Sequence, residues 1–149
     1  MMFLFTNDDF NPFPFRFVSK VLQGVLPYFS LKKMEHELVT RDAEVVAKRK
    51  EDTLLWHGGF RARHSYVLME ACDYAQNNLP NVSLPLLVLQ GEKDKMCTPQ
   101  GAKMLVDNAS SKDKEYVVYP EAFHNVACEL EDVKADVFKR IKHFVQRLT

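Results

Sequence analysis

Two short segments of this sequence end in residues that do acid–base chemistry. Gln90-Gly91-Glu92-Lys93-Asp94 closes on a carboxylate, and Pro120-Glu121-Ala122-Phe123-His124 closes on an imidazole. A buried carboxylate that accepts a hydrogen bond from a histidine ring fixes the ring's tautomer and orientation. It also stabilises the imidazolium that forms when the ring takes a proton. The pair would be two-thirds of a Ser-His-Asp relay. Taken singly, Asp94 reads as a turn residue and His124 as a loop histidine. Their placement raises both readings. A third candidate is Cys97, three residues beyond Asp94. It reads either as a reactive thiol, if exposed near His124, or as a small apolar filler. Metal chemistry has no such support. Cys72, Cys97 and Cys128 are odd in number and widely spaced, which makes neither a disulfide framework nor a zinc site. His57 and His64 lie seven apart with no third ligand at metal spacing. No metal and no cofactor are expected, and His36, His57, His64 and His143 read as solvated or structural.

The elements that would carry these residues follow from pattern. Pro85 precedes Leu86-Leu87-Val88-Leu89, and Gly91 ends the run. Continuous apolar residues of this length predict a strand buried on both faces. Tyr116-Val117-Val118-Tyr119, stopped by Pro120, predicts a second. Between them Pro99 at the first helical position, with Thr98 as N-cap, opens a helix whose stripe is Ala102, Leu105, Val106 and Ala109. A last helix, from about Asp132 to Leu148, presents Val133, Val137, Ile141, Phe144, Val145 and Leu148 inward. Strand, helix, strand, helix argues for parallel crossovers in an α/β sheet. Open α/β sheets carry their chemistry at the carboxyl ends of strands. Asp94 and His124 occupy two such ends.

Upstream of about residue 80 the texture is helical and irregular. Val18, Val21, Leu22, Val25 and Leu26 form one helical stripe ended by Pro27. Asp42 caps a short helix from Ala43. Gly58-Gly59 marks a break, and Phe60 to about Gln76 is helical again. The run Lys48-Arg49-Lys50 reads as a solvated helix face, with contact to anionic headgroups the minor alternative. Residues 1–80 are therefore assigned to a helical region and 81–149 to an α/β segment.

Composition narrows the function. Lys plus Arg and Asp plus Glu both number 20, so the formal net charge is zero. This argues against a generally basic nucleic-acid binder. With 46% apolar residues the chain is too hydrophobic to be disordered. No apolar run approaches the roughly 18–20 residues needed to cross a bilayer. Met1-Met2-Phe3-Leu4-Phe5 lacks a basic flank and a cleavage site and is not read as a signal peptide. A reducing, cytoplasmic compartment is the expectation.

Leu-Pro-Leu-Leu-Val-Leu-Gln-Gly-Glu-Lys-Asp at 84–94 and Tyr-Pro-Glu-Ala-Phe-His at 119–124 resemble the acid and histidine motifs of the monoacylglycerol lipase group of serine α/β-hydrolases. Val18 to Leu31, ending Val-Leu-Pro-Tyr-Phe-Ser-Leu, is similar to that group's cap, as is Asp52-Thr53-Leu54 followed by His57-Gly58-Gly59. The resemblance spans roughly residues 16–148 and the carboxyl-terminal half or so of a family domain. It implies a partial α/β-hydrolase fold, a helical cap followed by the last strand-helix-strand-helix units of a parallel sheet. It implies Asp94 as the acid and His124 as the general base, with nucleophile, acid and histidine in that chain order. Cys97 then stands where mammalian members also carry a cysteine near the site. Phe13, Phe15, Phe17, Leu22 and Val25 would belong to a lipophilic entry surface that binds acyl chains and touches a membrane or micelle.

One departure is large. A serine nucleophile sits in a G-x-S-x-G elbow. Ser19, Ser30, Ser65, Ser83, Ser110 and Ser111 lie in no such frame, and the family's H-G oxyanion loop is absent from these 149 residues. The expectation is a truncated lipid ester hydrolase, inactive alone, that would cleave monoacylglycerol to glycerol and fatty acid if a serine were supplied. The alternative is a non-catalytic remnant that binds lipid or a partner. Two strands of a larger sheet also leave an apolar edge, which predicts self-association.

Overall fold

A computed structural model describes residues 13–33 and 35–148. Met1–Phe5 and the side chains of Phe13 and Phe15 lie outside the described residues. The elements in chain order are α1 (Phe13–Val25), β1 (Ser30–Lys33), α2 (Ala43–Glu51), β2 (Gly59–Arg61), α3 (Ala62–Asn77), β3 (Leu86–Gly91), α4 (Pro99–Asn108), β4 (Lys114–Tyr119) and α5 (Glu131–Leu148). Single 3-10 turns occupy His36–Leu38, Leu79–Asn81 and Val126–Cys128.

Local chemistry accounts for most boundaries. Asp42 starts α2 as expected, its carboxylate accepting from the backbone N–H of Glu44 at 2.9 Å and of Val45 at 3.2 Å. Thr98 occupies the N-cap position of α4 with extended backbone and Pro99 follows it, but the Thr98 hydroxyl makes no capping bond. Pro27 cannot donate to a helical ladder, and α1 closes just before it with Leu26 N–H on Leu22 O at 2.7 Å. Helix α1 packs on α3, and an Arg16–Asp73 ion pair joins them.

The part that positions the candidate chemistry is the β3–β4 pair. The strands are parallel and in continuous register, from Leu86 opposite Lys114 to Gly91 opposite Tyr119. Both loops that carry candidate residues therefore leave from the same end. The first turns of α5 cover this pair. Val133 and Val137 cluster with Tyr119, Ala122 and Val126, with Leu89, Val117 and Ala127 packed against them.

Three expectations need correction. The region before residue 80 is not purely helical, because β1 and β2 form a small antiparallel ladder with Ser30 opposite Arg61 and Lys33 opposite Gly59. Strands of four and three residues are too short to display a period of two. Leu86–Leu89 is half-buried, not covered on both faces. The inward stripe of α5 is buried only at its start. Ile141, Val145 and Leu148 are 39%, 52% and 50% exposed. An 18-residue helix runs about 27 Å, whereas six-residue strands run about 20 Å. Two such strands cannot cover the helix to its end.

Among the described residues no helix is long and apolar enough to cross a membrane.

Candidate active site

The site is built where β3 ends. Gly91 is the last residue of the strand, and the next loop must pass against the loop that follows β4. A Cβ on Gly91 would lie 2.0 Å from the Phe123 carbonyl oxygen and 2.5 Å from that of Ala122. Only glycine permits this approach. The two loops are then laced together, with Glu92 N–H donating to Tyr119 O and Lys93 N–H to Ala122 O, both at 2.9 Å. Glu121 takes a left-handed backbone conformation (φ 59°), which turns the chain sharply after Pro120.

Asp94 is buried, with no exposed side-chain surface. Its Oδ1 accepts from the backbone N–H of Met96 at 2.8 Å and of Cys97 at 2.9 Å. Its Oδ2 lies 2.9 Å from His124 Nδ1. Buried Gln90, at the end of β3, directs its amide nitrogen to three acceptors. These are Gly91 O at 2.9 Å, Cys97 O at 3.0 Å and Asp94 Oδ2 at 3.3 Å. Every contact of the carboxylate is one in which it accepts, so the loop 91–97 is folded around a fixed acceptor. The histidine ring is 11% exposed, open enough to meet a substrate and shielded enough to keep its partner. Nδ1 faces the carboxylate, so Nε2 is the nitrogen that would exchange a proton with a reacting group.

The structure thus brings Asp94 and His124 together, as their strand-end positions predicted. Cys97 joins them, but through its main chain. Its thiol is pushed up to about 12 by burial and, secondarily, by the charge of Asp94. Of the two readings of Cys97, the filler fits and the reactive thiol does not. Asp94, Cys97 and His124 do place one ligand atom each within 4.8 Å of one another. A cation held by all three through Nδ1 would have to replace the hydrogen bond between carboxylate and ring. Phe17 and Leu22 lie on α1, in the layer it forms with α3. Phe17 is 61% exposed, and Leu22 is half-buried. His36 and His57 face one another at 3.2 Å, and His64 packs against the Phe60 ring.

The sequence reading missed Glu129 and Arg41. Glu129 is buried, and its carboxylate accepts from Phe123 N–H at 2.9 Å, one residue before His124. It also accepts from Arg41, at the backbone N–H (3.1 Å) and at Nε (2.8 Å). A glutamate in a stretch of acidic residues, and an arginine before a charged helix, give no sign of burial.

The family model described as Serine aminopeptidase, S33, matches residues 3–131. This chain belongs to the S33 serine aminopeptidase family. It is 32% identical over 131 residues to the monoglyceride lipase of Homo sapiens, a match covering 88% of this chain and 43% of that protein. It is 33% identical over 114 residues to the monoacylglycerol lipase of Mycolicibacterium smegmatis, covering 76% and 41%. Among solved structures it is similar to the monoacylglycerol lipase of Paleococcus ferrophilus, with TM-score 0.80, 21% identity, and 91% of this chain on 52% of that one. A soluble variant of the monoglyceride lipase of Saccharomyces cerevisiae, in complex with a substrate analogue, gives TM-score 0.78 at 20% identity, covering 97% and 52%. At these identities the structural likeness speaks for fold. The S33 chain described here has a partial α/β-hydrolase fold, and it spans about two-fifths of the length of the curated relatives it matches.

Proposed function

We propose that this chain carries the acid and base of a serine hydrolase that cleaves lipid esters of the monoacylglycerol type. The observation that carries the reading is the 2.9 Å contact between His124 Nδ1 and a buried Asp94 carboxylate at the carboxyl ends of two parallel strands. The names of the similar proteins support the substrate class. In this reading a serine attacks the ester carbonyl and His124 Nε2 takes its proton. Asp94 holds the ring and stabilises the imidazolium. His124 then protonates the departing glycerol oxygen, and next activates the water that releases the fatty acid. The oxyanion is held by backbone amides.

The 149 residues contain no G-x-S-x-G frame, so the reading requires a nucleophile and oxyanion hole from another segment, in the same polypeptide or a second one. The pure 149-residue chain is expected to show no turnover of monoacylglycerol above background. A fluorophosphonate probe applied to an extract of the source cells should capture a polypeptide containing these peptides and hydrolysing monoacylglycerol. In that species His124→Ala removes turnover, and Asp94→Asn lowers it by roughly 10⁴-fold. Rapid turnover by the pure chain, abolished by His124→Ala, would contradict the missing nucleophile. If the polypeptide bearing these peptides never reacts with the probe, the catalytic reading fails and the binding remnant stands in its place.

Two finer proposals accompany this. Phe17, Val21, Val25, Leu26, Tyr28 and Phe29 are all exposed on or just after α1. With Leu22 they would form the entry surface for acyl chains and the contact with a membrane or micelle, consistent with a cytoplasmic protein that associates peripherally. Cys97 would contribute its backbone to the site wall. Self-association through the β3 edge would cover what the two-stranded sheet leaves exposed.

A further inference from the structure

The segment Val39–Asp42, at the root of α2, is tied to the loop that carries His124. Asn125 N–H donates to Val39 O at 2.8 Å. Thr40 Oγ1 donates to Cys128 O at 2.7 Å and accepts from Asp42 N–H at 3.1 Å. Glu129 is the centre of this tie. Its side chain has no exposed surface, and it faces Arg41, which is 26% exposed. One oxygen, Oε1, accepts from Arg41 N–H and Phe123 N–H, while Oε2 accepts from Arg41 Nε at 2.8 Å and from Leu130 N–H at 3.4 Å.

A carboxylate with no exposed surface persists when its charge is paired and its lone pairs are filled, and these contacts do both. The geometry has a directional consequence. Phe123 is held on one side by Glu129, and its carbonyl is pressed on the other side against Gly91. His124 is the next residue. A shift of the Phe123 amide therefore displaces the ring from Asp94.

We infer that Glu129 is a positioning residue for His124, and that Arg41 couples its position to the segment Val39–Asp42. The inference rests on the proposed role of His124, but it can be tested without turnover. The reporter is the ring tautomer. With Nδ1 donating to Asp94, the proton resides on Nδ1, and a ring released from the carboxylate redistributes it to Nε2.

The experiment is a long-range proton–nitrogen spectrum of the 149-residue chain labelled at histidine, with the His124 signals assigned by His124→Gln. The unsubstituted chain should show the Nδ1–H form. Glu129→Gln retains the shape but loses the charge and one acceptor, so a substantial loss of the Nδ1–H signal is expected. Arg41→Ala should give a partial loss, and Arg41→Lys, which restores the charge but not the Nε geometry, a smaller one. A role in stability alone would lower the melting temperature and leave the tautomer of the folded chain unchanged, and that result in Glu129→Gln and Arg41→Ala overturns the inference. If Glu129→Gln does not fold, the less deeply buried Arg41 position decides it by the same criterion. An Nε2–H ring in the unsubstituted chain would instead remove the acid–base reading itself. The two failures are thereby distinguished.

Discussion

Asp94 and Cys97 illustrate how one loop can serve two side chains unequally. The loop 91–97 gives Asp94 two backbone donors, the loop after β4 gives it an imidazole, and the Cys97 thiol is left buried beside them. With its thiol pushed up to about 12, Cys97 should resist iodoacetamide at pH 8 in the folded chain and react readily in urea. Peptide mass spectrometry would report this, and rapid alkylation of Cys97 in the native protein would contradict the burial. Gly91 offers a second test. An alanine there places a methyl group 2.0 Å from the Phe123 oxygen. Gly91→Ala is expected to cost about 1–3 kcal/mol in urea unfolding, and an unchanged midpoint would mean that the loops part without penalty. The acid and the base were legible in the sequence because each follows an apolar run and a chain-reversal signal, Gly91 in one case and Pro120 in the other. Glu129 and Arg41 were not, since burial of a charge depends on a partner 88 positions away.

At the scale of elements, β4 and α5 are joined by a chain of polar contacts beside the apolar cluster. Tyr119 Oη donates to Asp136 Oδ2 at 3.0 Å, Arg140 Nε to the same oxygen at 2.6 Å, and Arg140 Nη1 to Glu115 at 3.1 Å. Burial, reinforced by the hydrogen bond to Asp136, pushes the Tyr119 hydroxyl up to about 12. A group held protonated more firmly when folded adds stability at low pH and loses that contribution as pH rises. For Tyr119 the loss begins near its ordinary value of about 10 and is complete above about 12, and for Cys97 it begins near about 9. The melting temperature should accordingly fall over this alkaline range, and Tyr119→Phe should flatten the decline. An equally steep fall in that variant would assign the effect elsewhere. The four principal helices after residue 40 were readable from caps and periodicity. The β1–β2 ladder was not. Its register comes from backbone bonds such as Ala62 N–H on Phe29 O at 2.9 Å, to which side-chain type contributes little.

At the scale of the molecule, exposed apolar surface is the dominant feature. Phe138, Ile141, Val145 and Leu148 on α5 lie open, as do Phe17, Val21 and Val25 on α1. Sedimentation velocity on the 149-residue chain should show larger species at higher concentration, and a single monomeric boundary throughout would count against the proposed self-association. Periodicity reveals which face of α5 is apolar. It does not reveal whether anything stands opposite. The β3–β4 ladder carries one more implication. Gly91 and Tyr119 are the same rung, so the thirty positions between Asp94 and His124 collapse to a hydrogen bond. Residues could be inserted between α4 and β4, beside the exposed Ser110, without disturbing that rung. Deleting one residue inside either strand would move every following side chain to the opposite face and send acid and imidazole apart. Natural length variation in this region should therefore be found between the strands and not within them.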